Sequence, residues 1–168
     1  MRIRIVAGLV AALAGVVTFT ASPASAGASS GAQGAHCVVN LDTGKVACDD
    51  TEQQARQLAD VGVLAVNAVK LYDRKNFDPD AGTFTITTTR SCTSAYEHEY
   101  SYNMAGGAWN NRASSVETFN SCDVKLYDAA GPPSDPNLTG GSTWIDRAAD
   151  LSAIGGGWNN RASSLRIS

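Results

Sequence analysis

At 168 residues, with 43% apolar and 17% charged side chains and a formal net charge of −3, the chain is of ordinary one-domain size and has enough apolar mass for a core. A mildly acidic balance without basic clusters excludes nucleic acid and anionic membrane as the main partner. Four cysteines without a C-x-x-C pair give zinc little support and read, in an exported chain, as disulfides.

Arg2 and Arg4 precede an apolar run from Ile5 to about Phe19, and Ala24-Ser25-Ala26 follows as an A-x-A cleavage pattern. Residues 1–26 therefore read as a secretory signal peptide, with an apolar run too short for a membrane span. The mature protein is expected to be secreted and extracellular. Cleavage removes two of the 13 basic residues and none of the 16 acidic ones, moving the charge from −3 to −5. Residues 27–35, rich in Gly, Ala and Ser, are expected to be a flexible leader.

Residues 36–66 read as an N-terminal hairpin and helix. Cys37 and Cys48 flank the turn signal Asp42-Thr43-Gly44. Among the three pairings open to four cysteines, this favours Cys37–Cys48 and leaves Cys92 and Cys122 to pair across the domain. Asp50 with Gln53 three residues on predicts a cap opening a short helix over Gln54–Val61. Two roles fit this segment: a pro-region, or a cover for an exposed sheet edge.

Beyond it the apolar period changes. Val69–Tyr72, Thr83–Arg90, Ser115–Phe119, Val124–Tyr127, Thr143–Asp146 and Leu165–Ile167 are short runs rich in Thr, Val, Tyr and Phe, the pattern of an all-β sandwich or barrel. They also repeat. Val69-Lys70-Leu71-Tyr72-Asp73 returns as Val124-Lys125-Leu126-Tyr127-Asp128. Gly107-Ala108-Trp109-Asn110-Asn111-Arg112-Ala113-Ser114-Ser115 returns as Gly156-Gly157-Trp158-Asn159-Asn160-Arg161-Ala162-Ser163-Ser164. One supersecondary unit thus occurs twice, over 67–120 and 121–168, within a pseudo-twofold domain spanning 67–168.

These residues resemble the βγ-crystallin superfamily, whose Greek keys open with Tyr-x-x-x-x-Phe-x-Gly and whose calcium-binding members carry Asx-Asx-x-x-Ser/Thr-Ser. Tyr72 to Phe77 fits the opening, with the glycine delayed to Gly82. The second hairpin departs further, since Tyr127 leads into a long loop before Gly140-Gly141 and has no matching aromatic. Both Asn-Asn-x-x-Ser-Ser loops match. The resemblance implies an all-β fold, two Greek-key motifs forming a sandwich in which each sheet takes a strand from the other motif, preceded here by a small disulfide hairpin and a short helix. It also implies that calcium (Ca2+) is held by both motifs: by side-chain oxygens in the pairs Asn110-Asn111 and Asn159-Asn160, above all Asn111 and Asn160, by the carbonyls of Arg112 and Arg161, by the hydroxyls of Ser114 and Ser163, and by main-chain carbonyls near Asp73 and Asp128. Which copy feeds which site stays open.

Calcium is a hard cation needing six to eight oxygens, and such loops offer amide, carbonyl and hydroxyl oxygens in close succession. Asn in place of Asp and an arginine beside each site imply a Kd of about 10⁻⁵ to 10⁻³ M. The same side chains would also serve to satisfy backbone groups in a tight loop.

Glu97-His98-Glu99 lacks a second histidine at ligand spacing, His36 being the only other, and reads as a solvated loop. Trp109, Trp144 and Trp158 read as core aromatics. No G-x-S-x-G, H-E-x-x-H or Ser/His/Asp set is present, so no enzyme is expected. Asn137-Leu138-Thr139 is a glycosylation sequon. Two further functions stay open. Gly131-Pro132-Pro133-Ser134-Asp135-Pro136, within Ala129–Asn137, is the stiff kind of loop an inhibitor presents to a protease. Secreted actinobacterial metalloproteinase inhibitors have a crystallin-like fold, which would make a secreted protease the partner. A killer-toxin-like domain rests on fold analogy alone. A monomer is expected.

Overall fold

The computed structural model describes residues 36–130 and 139–168. The signal segment, the leader, the Pro132-Pro133 loop and most of the sequon lie outside them. Alternation of apolar and polar residues builds most of the strands, because successive side chains of a strand face opposite ways. Val38 of β1 (His36–Asn40) packs under the helix with Ala55 and Ala59, while its neighbours Cys37 and Val39 enter the main core.

After β1 come β2 (Lys45–Asp49), α1 (Glu52–Leu58), β3 (Val66–Tyr72), β4 (Thr83–Thr88), β5 (Tyr100–Asn103), β6 (Ser115–Thr118), β7 (Val124–Tyr127), β8 (Arg147–Ala148) and β9 (Ser164–Ile167). One sheet runs β2-β1-β4-β3-β6-β8 and the other β5-β9-β7. Each motif lends a strand: β5 of the first pairs with β9 of the second, and β8 of the second pairs with β6 of the first. The core between the sheets holds Leu71, Ile86, Trp109 and Val116 from the first motif and Leu126, Leu151, Trp158 and Leu165 from the second. Neither motif buries its apolar face alone.

Both disulfides follow the favoured pairing, Cys37–Cys48 and Cys92–Cys122. The hairpin does not merely precede the sandwich. β1 lies parallel to β4, Cys37 opposite Phe84 through Asn40 opposite Thr87, so β1 and β2 extend the first sheet across what would otherwise be its open edge.

Several local expectations shift. Thr51, not Asp50, caps the helix: its hydroxyl accepts from the Gln54 N–H at 3.2 Å and donates to the Gln54 side chain at 2.7 Å. The helix therefore runs over Glu52–Leu58 rather than Gln54–Val61, and Asp60 turns the chain out of it at φ 58°. Thr143–Asp146 forms no strand beyond the single bridge of Ile145 to Val124, and the short strand begins at Arg147. Tyr100–Asn103 is an unforeseen strand. Trp144 is half-buried and stacks on exposed Tyr96 at 6.2 Å instead of joining the core.

α1 is fastened to the sheet by charge. Glu52 accepts from Lys70 Nζ at 2.7 Å, from Thr85 Oγ1 at 3.2 Å and from Arg56 Nε at 3.3 Å. Burial pushes its carboxyl pKa up, but Lys70 and then Arg56 outweigh that and hold it below the ordinary 4.5. A depressed carboxyl stabilises the fold above its unfolded value, and that stability is lost as pH falls through the folded one. Glu52→Gln is therefore expected to lower Tm at pH 7, and the two proteins should converge below about pH 4. Thermal melts of both from pH 7 to 3 check this.

Candidate metal site

The two Asn-Asn loops meet across the pseudo-twofold axis. Asn111 donates its N–H to the Ala162 carbonyl at 3.0 Å, and Asn160 donates to the Ala113 carbonyl at 2.9 Å. Each loop is also tied to its own hairpin: Ser114 N–H bonds the Tyr72 carbonyl and Ser163 N–H the Tyr127 carbonyl, both at 2.8 Å. Asn111 (φ 55°) and Asn160 (φ 54°) both adopt the left-handed conformation, which asparagine tolerates better than most side chains.

The side chains cross over. Ser163 Oγ lies 3.1 Å from Asn111 Oδ1, and Ser114 Oγ lies 3.4 Å from Asn160 Oδ1. Each amide oxygen of one motif thus accepts a hydrogen bond from the hydroxyl of the other. The hydroxyls are nearly buried while both asparagines reach solvent. Asn111 and Asn160 line one hollow of about 560 Å³ together with Asp73, Arg112 and the Gly106–Ala108 backbone.

Amide and hydroxyl oxygens are of the kind a calcium ion takes. Two oxygens about 2.4 Å from one ion and about 80–90° apart lie about 3.1–3.4 Å from each other. The two Ser–Asn separations, each a hydrogen bond donated by the serine hydroxyl in this structure, fall within that span. Asn159 Oδ1 is buried without a hydrogen-bond partner among the described residues, leaving a lone pair for a cation or a water. Asn110, its counterpart, is exposed. The residues that would hold the ion are Asn111 with Ser163 and Asn160 with Ser114; the ion would bring positive charge to oxygens that are themselves neutral. Among the described residues no three His, Cys, Asp or Glu side chains converge.

Each arginine is held by its own hairpin and tryptophan, and Arg112 also lines the hollow. Arg112 Nη2 donates to Asp73 Oδ2 and to the Ala81 carbonyl, both at 3.0 Å, and its guanidinium lies over the Trp109 ring at 4.8 Å. Arg161 lies over Trp158 at 4.8 Å, donates to the Gly156 and Gly157 carbonyls at 2.6 and 3.0 Å, and reaches Asp128 at 3.3 Å. Asp73 and Asp128 thus have carboxylates already partnered by arginine.

Two residues were overlooked. Ser115 Oγ donates to the Arg74 carbonyl at 2.6 Å and accepts from the Phe77 N–H at 3.1 Å, while Ser164 Oγ donates to the Ala129 carbonyl at 2.9 Å. These last serines of each motif lash the loop to its hairpin, and their repetition was the available signal. In the second hairpin Gly141 approaches the Tyr127 ring closely. It lies so flat on Tyr127 that a Cβ there would stand 2.6 Å from the ring. Glu97-His98-Glu99 is a loop, as read, with Glu97 and His98 exposed; it leads into β5, and Glu99 accepts from Thr93.

Comparison with solved structures finds βγ-crystallin domains. The N-terminal domain of protein S matches with a TM-score of 0.40 and 18% identity, over 61% of this chain and 96% of that one. A βγ-crystallin domain from Flavobacterium johnsoniae matches at 0.36 and 19%, over 60% and 93%. Hahellin, a βγ-crystallin, matches at 0.37 and 20%, over 61% and 92%. No family model matches the chain, and no curated protein does. Likeness at this level carries no weight of its own, so the assignment rests on the strand exchange and the reciprocal loops. On those grounds residues 66–168 form two Greek keys, each completed by a strand of the other, the arrangement that the resemblance to βγ-crystallins implies.

Proposed function

We propose that the protein is a secreted calcium-binding βγ-crystallin-type domain whose fold the ion stabilises. The observation that carries this reading is the crossed pairing of Asn111 with Ser163 and of Asn160 with Ser114. Each site would then require both motifs in their packed arrangement, so an ion bound there favours the folded state over the unfolded one. The two disulfides and the amino-terminal signal pattern support an extracellular setting, where calcium is abundant and thiols oxidise.

At a calcium concentration about 100 times Kd, linkage stabilises the fold by about 2.7 kcal/mol for each occupied site. For a domain of this size that raises Tm by about 8–13 °C, and EDTA should reverse the shift. Asn111→Gly with Asn160→Gly keeps the left-handed backbone without strain and deletes both amide oxygens. The double variant should fold and lose the response. Thermal melts with calcium and with EDTA decide the matter; equal shifts in both proteins would refute these asparagines as donors.

A further inference from the structure

Residues 61–65, Val-Gly-Val-Leu-Ala, form the neck between the N-terminal unit (β1, β2 and α1) and the first Greek key, and none of them lies in a helix or strand. Val63 is fully exposed and Leu64 is 79% exposed. A single main-chain bond, from the Ala65 N–H to the Gly62 carbonyl at 3.0 Å, closes the turn. Its upstream base is clamped, since Asp60 receives Asn40 Nδ2 on its carbonyl and Lys45 Nζ on its carboxylate, both at 2.9 Å. Two bulky aliphatic side chains are thus held out in water, where they gain nothing from burial.

Neither disulfide crosses the neck. Cys37–Cys48 closes within the N-terminal unit and Cys92–Cys122 within the remainder. The neck is therefore the sole covalent tie between the two parts. The non-covalent ties are many: β1 against β4, Glu52 on Lys70 and Thr85, Arg56 on Asn67, Thr87 Oγ1 on the Val39 carbonyl, and Asp42 on Thr89.

We propose that this turn is a processing site for an extracellular peptidase that selects small aliphatic side chains. Cutting there turns the N-terminal unit into a non-covalent cap on the edge of β4. The step is hydrolysis: water adds across the Val63–Leu64 peptide, the C–N bond breaks, and a carboxylate is left on Val63 and an ammonium on Leu64. Once cut, the cap is held by mass action rather than by the chain, and its departure bares the unpaired edge of β4 to another strand.

Pancreatic elastase, which cuts after small aliphatic residues, is the probe, applied to the full secreted, oxidised protein. The first cut between His36 and Ser168 should fall within residues 61–66. The nicked protein should elute at the intact size in plain buffer and part into two pieces in guanidinium without reductant. Val63→Asp with Leu64→Asp should slow that cut at least about tenfold with Tm unchanged. A first cut elsewhere, pieces that part at once in plain buffer or stay joined in guanidinium, or an undiminished rate in the variant would each overturn the proposal.

Discussion

Replacing Cys92 and Cys122 together by alanine is expected to lower stability by about 3.6 kcal/mol and Tm by about 10–18 °C. The bridge joins residues 30 apart in sequence, against 11 for Cys37–Cys48, so it removes more loop freedom from the unfolded chain, and loss of the shorter bridge should cost only about 2.8 kcal/mol. Its position adds to its importance. Cys92 lies between β4 and β5, and Cys122 lies between the two motifs, where the Cys92 N–H also bonds the Asn120 carbonyl at 3.1 Å. The bridge thus pins the strand that crosses to the second sheet. Because it is remote from the Asn-Asn loops, the variant should keep its relative calcium response. Chemical denaturation of oxidised wild type and variant measures the first effect, and calcium-dependent melts the second.

Trp109→Ala is expected to cost about 3–5 kcal/mol, the range for large buried aromatics, and to abolish the calcium response in whatever remains folded. Trp109 is 2% exposed, packs on Phe84 at 5.7 Å and lies beneath the Arg112 guanidinium. It is the floor on which Asn110 and Asn111 turn. Trp109→Phe separates these roles. The Trp109 N–H is buried without a partner among the described residues, whereas Trp158 Nε1 donates to the Gly155 carbonyl at 3.2 Å. Phenylalanine at 109 removes an unsatisfied donor and should therefore cost less than phenylalanine at 158, which breaks a bond and leaves a carbonyl behind. Melting curves of Trp109→Phe and Trp158→Phe beside the wild type test that order.

The Asn-Asn-Arg-Ala-Ser-Ser loops and the doubled Val-Lys-Leu-Tyr-Asp strands were legible because repetition marks residues that a single copy would not. The strand Tyr100–Asn103 was not legible. Its tyrosines are half-buried and its serine and asparagine mask the alternation, and only β9 alongside makes it a strand. The parallel contact of β1 with β4 was hidden for another reason: parallel neighbours are joined by no tight turn, so no local signal announces them. The partner of each serine likewise required the twofold, since Ser163 meets Asn111 from the other motif, 52 residues away. Sequence spacing names the oxygens; packing decides which of them share a site.

Calorimetric titration of the oxidised protein with calcium, beside the Asn111→Gly, Asn160→Gly double variant, tests the central claim most directly. Saturable heat with a Kd of about 10⁻⁵ to 10⁻³ M in the wild type, absent in the variant, is the expected result. No heat from the wild type up to about 10 mM, ten times the weakest expected Kd, would contradict the account.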